Sequence, residues 1–349
     1  MTMGERLRAR AYQLVDDAAG LHIRRGRSEL LLPDRRLGAL VVDLLAAFEG
    51  EAGVDRAAIV GTYAPRDNGV VVGLIDRLVQ VGLLSDADEF CHDGNSPEPI
   101  FDIFVHDEGD YPGKVRKRLA DASLTILGVN AISHRLADAL RESAFLDIQV
   151  VDDPPLRNLR LFEQNAKPAA DPGDTMRPTP VAAWQLDPER VDCLVATVEF
   201  GAGQLIDRWN ALAVSLSVPF LPILLDGAVG TVGPLVVPGE TACWNCLISR
   251  ENAPWLRRPL AISREALEYQ MAQGHHPSMP AMLADCAAIE LTRFFGEIPR
   301  PRPGRVITVD FLDNAMNARR VLRIPRCNVC SEANAFSPIA LSPYREHDR

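Results

Sequence analysis

Two hydrophobic periods alternate along the first ninety residues. LHIRRG (21–26) and SELLLP (28–33) read as short strands joined by a turn at Gly26-Arg27. Asp34 then caps a helix through Phe48, with Leu37, Leu40, Val41, Leu44, Leu45 and Phe48 on one face and Gly50 as its stop. A second short helix is expected over 54–61. A third is expected over 68–81, with Val71, Leu74, Ile75 and Leu78 apolar and Gly82 after it. A hairpin plus three helices makes a winged-helix-like pattern.

The period changes further on. CHDGNSPEP (91–99) has the composition of a linker. SLTILGVN (123–130) is a continuous apolar run that opens directly into the helix ISHRLADALRES, and FLDIQVVDD (145–153) is the next strand. This is a β-α-β unit of the doubly wound kind. Residues 154–188, rich in Pro and polar side chains, read as a long crossover. VDCLVATV, IDRWNALAVSLS and VPFLPILLDG continue as strand, helix, strand. GTVGPLVVPGETACWNC reads as a hairpin-like extension, 281–295 as a helix, and RVITVDF and ARRVLRI as late strands. The expected fold class is α/β. A winged-helix-like domain (1–90) and a linker (91–100) precede a doubly wound domain (101–349).

Composition narrows the function. The 349 residues are 47% hydrophobic and 24% charged, with a formal charge of −10. An acidic chain of this kind is not built to neutralise phosphates, so no nucleic-acid partner is expected. The start MTMGERLRARAYQL lacks a signal-peptide core, and the most apolar stretch (211–225) is broken by Ser and Pro. A cytoplasmic protein with no membrane partner is expected.

Of seven cysteines, four form two C-x-x-C pairs: Cys243 and Cys246 in CWNC, and Cys327 and Cys330 in CNVC. Two thiolate-bearing turns make a closed tetrahedral four-sulfur zinc site, structural because no position stays open for substrate. Two unrelated pairs, or disulfides, are the alternatives. Cys91, Cys193 and Cys286 are left as free thiols.

The stretch from about Ser123 to Cys330 resembles the ThiF-like, ubiquitin-activating-type fold. The resemblance is carried by the β-α-β around Gly128, the acidic strand end Asp152-Asp153, GTVGPLVVPGETACWNCL and the closing CNVC. GPLVVPGETACWNC followed by RIPRCNVC is similar to the partner proteins of YcaO cyclodehydratases in azole and thiopeptide biosynthesis. The first domain resembles the PqqD-like peptide-recognition element of such proteins.

Active members of this fold adenylate a carboxylate with ATP. They need a Gly-rich turn that lets the backbone approach phosphates at a helix N-terminus. Here the turn is GVNAIS (128–133), with only the first glycine, and the Asn130 side chain fills phosphate space. Asp152 or Asp153 remains able to hold a ribose. The family's arginine segment survives only as Asn158-Leu159. By alignment its magnesium-holding Asp is replaced by Val198, with Glu199 adjacent, and Lys167 is a loose match to its phosphate lysine. These losses imply that this chain does not use ATP.

The resemblance then implies a scaffold. It would bind the leader of a ribosomal precursor peptide and present it to a YcaO enzyme that cyclises Cys, Ser or Thr; a homodimer is implied as well. The leader would add as a strand beside Arg27, Ser28, Glu29, Leu30, Leu31 and Leu32, next to Leu74, Arg77, Leu78 and Val81 on the third helix. Residues 1–36 hold eight Arg against five Asp plus Glu. Arg24, Arg25, Arg27, Arg35 and Arg36 form a basic rim that would steer an acidic leader. An active adenylating enzyme and a DNA-binding regulator are the rival readings. His275-His276 reads as surface loop, and Trp244 and Trp255 as packing for the first zinc turn.

Overall fold

The computed structural model describes residues 6–49, 53–87, 100–108, 111–158, 178–200, 204–251, 274–298 and 301–331. The chain divides into two compact units, Met1–Arg118 with Gly296–Pro299, and Leu119–Phe295 with Arg300–Arg349. The linker expected at 91–100 lies outside the described residues except for Ile100.

The first unit begins with β1 (Arg6–Ala9), β2 (Gln13–Asp17), β3 (Gly20–Arg25) and β4 (Ser28–Leu32). Next come α1 (Arg35–Ala47), β5 (Val54–Asp55), α2 (Arg56–Gly61), α3 (Asn68–Gln80), β6 (Leu84–Asp86) and α4 (Ile100–Asp107). Its strands form two antiparallel sheets, ordered β5-β1-β6 and β2-β3-β4. The β3–β4 hairpin turns at Gly26, whose φ of 53° suits glycine at the first central position of a two-residue turn. The Asp34 carboxylate accepts from Arg36 N (2.8 Å) and starts α1. Gly38, Val41, Leu44 and Leu45 then recur at three- and four-residue steps and are buried. Val41, Leu44 and Leu45 join Ile23, Phe48, Ile75 and Leu78 in one core.

The helix expected over 54–61 begins two residues late. Val54 and Asp55 pair with β1 instead, and the Asp55 side chain caps α2 by accepting from Ala57 N. The strands β1, β2 and β6 were not anticipated. Each is short, and β1 buries only Leu7, so no period-two run marks it.

α5 (Pro112–Asp121) straddles the sequence boundary between the units. The second unit holds β7 (Ser123–Leu127), α6 (Ala131–Glu142), β8 (Asp147–Asp152), β9 (Thr179–Pro180), β10 (Cys193–Val198), α7 (Gln204–Ser215) and β11 (Phe220–Asp226). It continues with β12 (Val229–Val232), α8 (Trp244–Glu251), α9 (Ser278–Phe295), β13 (Arg305–Asp310) and β14 (Ala315–Arg320). One eight-stranded sheet results, ordered β14-β13-β12-β11-β10-β7-β8-β9, parallel from β11 to β9 and antiparallel from β11 to β14. All six residues of β10 are buried, as a strand covered on both faces requires.

The connections β7-α6-β8 and β10-α7-β11 step away from each other in this order. With right-handed crossovers the two helices cover opposite faces. The strand order therefore reverses between β7 and β10, and their carboxyl ends open the crevice where doubly wound sheets bind ligands. Part of the crossover at 154–188 is described: it adds β9 to the sheet edge at β8, and 159–177 lie outside the described residues. The last strand starts earlier than expected. Asp310 Oδ1 accepts from Leu312 N and Asp313 N, and Asn314 takes a positive φ, so pairing resumes at Ala315. Among the described residues no helix is long and apolar enough to cross a membrane.

Candidate functional site

At the switch point the chain closes its own crevice. Gly128 follows β7 with φ +104°, and a Cβ there would stand 2.9 Å from Thr197 O and 3.0 Å from Thr197 Oγ1. Only glycine fits both the backbone angle and this approach. Asn130 caps α6 reciprocally: Ser133 N donates to Asn130 Oδ1, and Asn130 N donates to Ser133 Oγ (both 3.0 Å). Its Nδ2 donates to Leu156 O (3.1 Å), Thr197 O and Thr197 Oγ1 (both 3.0 Å), and the residue is fully buried. This side chain bolts β7, β10 and the start of the crossover together.

Glu199, one residue past β10, completes the closure. Its Oε1 accepts from Ile132 N (3.2 Å), its Oε2 accepts from Asn158 Nδ2 (2.6 Å), and His275 Nε2 stands 3.8 Å from Oε2. The Glu199 side chain is 1% exposed. A carboxylate on the first N–H groups of a helix meets the positive end of its dipole, the position a bound phosphate would take. Phe200 follows with φ 65° and packs its ring 5.3 Å from that of His275.

Both acids at the end of β8 are engaged too. Asp152 accepts from Arg157 Nε at 2.6 Å, and that hydrogen bond holds the Arg157 pKa above its usual value. Asp153 is 1% exposed and accepts from Trp209 Nε1 (2.9 Å) and from the Arg208 guanidinium. The fold thus gathers Gly128, Asn130, Asp152 and Asp153, and ties up their polar atoms internally. Sequence reading placed Glu199 beside a lost metal ligand but missed its role and that of His275. The available signal was an acid directly after the central strand.

The four cysteines converge at the other end of the same core. Among the described residues Cys243, Cys246, Cys327 and Cys330 form the cluster that could hold a metal, with ligand sulfurs all within 4.8 Å of one another. Sγ separations are 3.9 Å for Cys243–Cys246, 3.6 Å for Cys243–Cys327 and 3.5 Å for Cys246–Cys330. A tetrahedron with zinc–sulfur bonds of about 2.3 Å has edges of about 3.8 Å, so the donor set fits zinc. A disulfide needs about 2.05 Å, so these are thiols and not bridges. The Cys243 thiol hydrogen-bonds to Cys246 and pushes the Cys246 pKa down; the same bond and burial push Cys243 up. Ile324 N donates to Cys246 Sγ (3.4 Å) and Asn245 Nδ2 to Cys327 Sγ (3.6 Å), orienting the sulfurs. Trp244 is fully buried in the core that supports the first turn, as expected for packing.

In the first unit β4 pairs only with β3 among the described residues. In a two-residue hairpin the closing pair, here Arg25 and Ser28, exchanges both hydrogen bonds. Glu29 and Leu31 therefore turn their N–H and C=O groups to the free edge. Leu31 is 43% exposed, whereas Leu32 and Leu78 are core residues and Leu30, Leu74 and Val81 pack partly against that core. Arg77 is exposed and donates to Gln80 Oε1 (2.6 Å).

The arginines of the expected basic rim are largely matched by partners. Arg24 meets Glu29 (3.0 Å), Arg25 donates to Ala11 O, and Arg35 lies 3.5 Å from Asp16. Arg27 donates through its backbone to Asp107 Oδ2 (3.0 Å) and through its side chain to Glu108 Oε1 (2.6 Å). Gly26 is forced by the same contact, since a Cβ there would collide with the Asp107 carboxylate.

No family model matches the chain. The HesA protein of Leptolyngbya boryana is 24% identical over 167 residues, 46% of this chain and 52% of that protein. The chain thus spans about half the length of this curated relative. The solved structures reach further. Escherichia coli MccB bound to AMPCPP and selenomethionine MccA superposes with a TM-score of 0.63 at 16% identity, covering 93% of this chain and 99% of MccB. The microcin C7 biosynthetic enzyme MccB in complex with N-formylated MccA gives 0.64, also at 16% identity, with 93% and 99% covered. A heterocyclase in complex with substrate and cofactor gives 0.60 at 16% identity, covering 94% of this chain and 40% of that one. The chain has the ThiF-like fold of MccB over almost its whole length.

Proposed function

We propose that this chain binds the leader region of a ribosomally made precursor peptide and presents it to a peptide-modifying enzyme, without spending ATP itself. One observation carries the reading. The chain has the fold of MccB, solved with the peptide MccA, yet buried side chains of its own close the crevice where that fold opens. Glu199 accepts from the Ile132 N–H in the first turn of α6, Asn130 fills the turn, and Asp152 and Asp153 are paired internally. The heterocyclase solved with its substrate, similar to this chain in fold, supports azoline-forming chemistry in the complex.

In this reading residues 1–90 are a winged-helix-like peptide-recognition domain within the first unit, 91–100 are a linker and 101–349 are the scaffold. The leader pairs with the outer edge of β4 through the outward groups of Glu29 and Leu31. Exposed Leu31 and Arg77, with the half-buried Leu30, Leu74 and Val81 beside them, select its side chains. Because Arg24, Arg27 and Arg35 are matched by the chain's own acids, shape and backbone pairing carry affinity more than bulk charge does. The partner is a YcaO-type cyclodehydratase, the four-cysteine site holds a structural zinc, and the chain works as a homodimer in the cytoplasm.

Fluorescence anisotropy with a labelled leader peptide tests this. Saturable binding at low micromolar concentration is expected, and no binding at tens of micromolar contradicts it. The rival reading, an active adenylating enzyme, is favoured by the solved MccB complex with ATP. It predicts ATP–pyrophosphate exchange by the isolated chain, and the present reading predicts none.

A further inference from the structure

We propose that Glu199 is a built-in occupant of an oxyanion site, a lock that the chain carries on its own sheet. The inference rests on the reading that the nucleotide crevice is out of use, and it names the contact that keeps it so. Three segments far apart in sequence converge on one carboxylate: Ile132 N at the start of α6, Asn158 Nδ2 in the crossover and His275 Nε2 ahead of α9. Burying a lone carboxylate is costly, and it persists only where donors replace the lost water. With a 1%-exposed side chain, Glu199 meets that condition through the Ile132 N–H at a helix N-terminus and a side-chain amide at 2.6 Å, with the His275 imidazole 3.8 Å away. The adjoining Phe200 holds a φ of 65°, a conformation unfavourable for a bulky residue, which the surrounding contacts must maintain. The cavity that Glu199 fills is therefore shaped for a carboxylate or phosphate oxyanion, and the chain's own side chain excludes both.

Chemical rescue tests the lock. Replacing Glu199 by Gly removes a fragment equivalent to propionate, so propionate is the probe, with inorganic phosphate as a second arm to separate carboxylate from phosphate selectivity. Glu199→Gly is expected to lower Tm by about 5 °C or more. Propionate or phosphate at tens of millimolar is expected to restore at least half of that loss, relative to sodium chloride of equal ionic strength. Wild type run in parallel removes the general stabilisation such salts give. Glu199→Gln, which keeps the volume filled, is expected to gain little from either anion. If the Gly variant does not stay folded, recovery of soluble protein on refolding in propionate against chloride replaces Tm as the readout. An unchanged Tm, rescue by neither anion, equal gains in wild type, equal gains in the Gln variant, or equal refolding in the two salts overturns the proposal. None of these readouts involves a leader peptide or pyrophosphate exchange, so the lock and the proposed function fail separately.

Discussion

At the scale of single residues, Asn130 does the most with one side chain. It caps α6 and joins three backbone segments while fully buried. Asn130→Ala should cost about 2–4 kcal/mol, because the lost cap is joined by buried groups left without partners. Urea unfolding monitored by tryptophan fluorescence measures it. Asn130→Asp should cost much of the same, since its Oδ2 would face Leu156 O and Thr197 O as a second acceptor.

His22 makes a pH-dependent prediction. It lies on β3 between Glu29 Oε1 (2.5 Å) and Asp17 Oδ1 (3.1 Å). The Glu29 contact holds the His22 pKa above its ordinary 6.5. The same contact lowers Glu29, and the Ala19 N–H lowers Asp17. A raised base contributes fully below its unfolded pKa and loses its contribution as pH rises through the folded value. The lowered acids contribute above their unfolded values and lose that contribution as pH falls through the folded ones. The Tm difference between wild type and His22→Gln should therefore be largest just below the ordinary histidine value of 6.5 and shrink as pH rises past it toward the raised folded value. A flat difference across that range contradicts the charge network.

At the scale of elements, the legible parts of the fold were those with local signals. The Gly26 turn, the Asp34 cap and the apolar runs of β7, β10 and β11 gave α1, the β3–β4 hairpin and the parallel centre of the sheet. What escaped depends on distant partners. β1 takes its identity from pairing with β5 and β6, nearly fifty and eighty residues away. Arg27 read as part of a basic rim because its partners Asp107 and Glu108 lie far along the chain. Glu199 looked like a neighbour of a missing ligand, since the donors it satisfies, Ile132 N and Asn158 Nδ2, come from two distant segments and His275 from a third beside it.

β4 carries the element-scale prediction. Leu31→Pro removes an N–H that faces the free edge and no ladder bond, so stability should change by less than about 1 kcal/mol. Leader affinity should fall at least tenfold, because strand addition needs that donor. Unchanged affinity by anisotropy contradicts the proposed edge.

At the scale of the whole molecule, the two C-x-x-C turns pin late chain to the middle of the second unit. Their sulfurs share a core with Trp209, Phe220 and Trp244. Metal-coupled folding makes a structural zinc part of the unit's stability. Chelation, or Cys327→Ser, should therefore melt the second unit while the first keeps its leader affinity, measured by calorimetry and anisotropy on the full chain. Loss of both together contradicts independent units.

The same division of labour defines the central claim. Among the described residues the first unit offers a strand edge that no other strand pairs, while the second has the fold of MccB with Asn130 and Glu199 buried at its switch point. Amide hydrogen exchange on the full chain, with and without a leader peptide, tests that claim most directly. The prediction is strong protection of the Glu29 and Leu31 amides on adding leader, with the amides of 128–133 unaffected. Protection at 128–133 without any at β4 would contradict it.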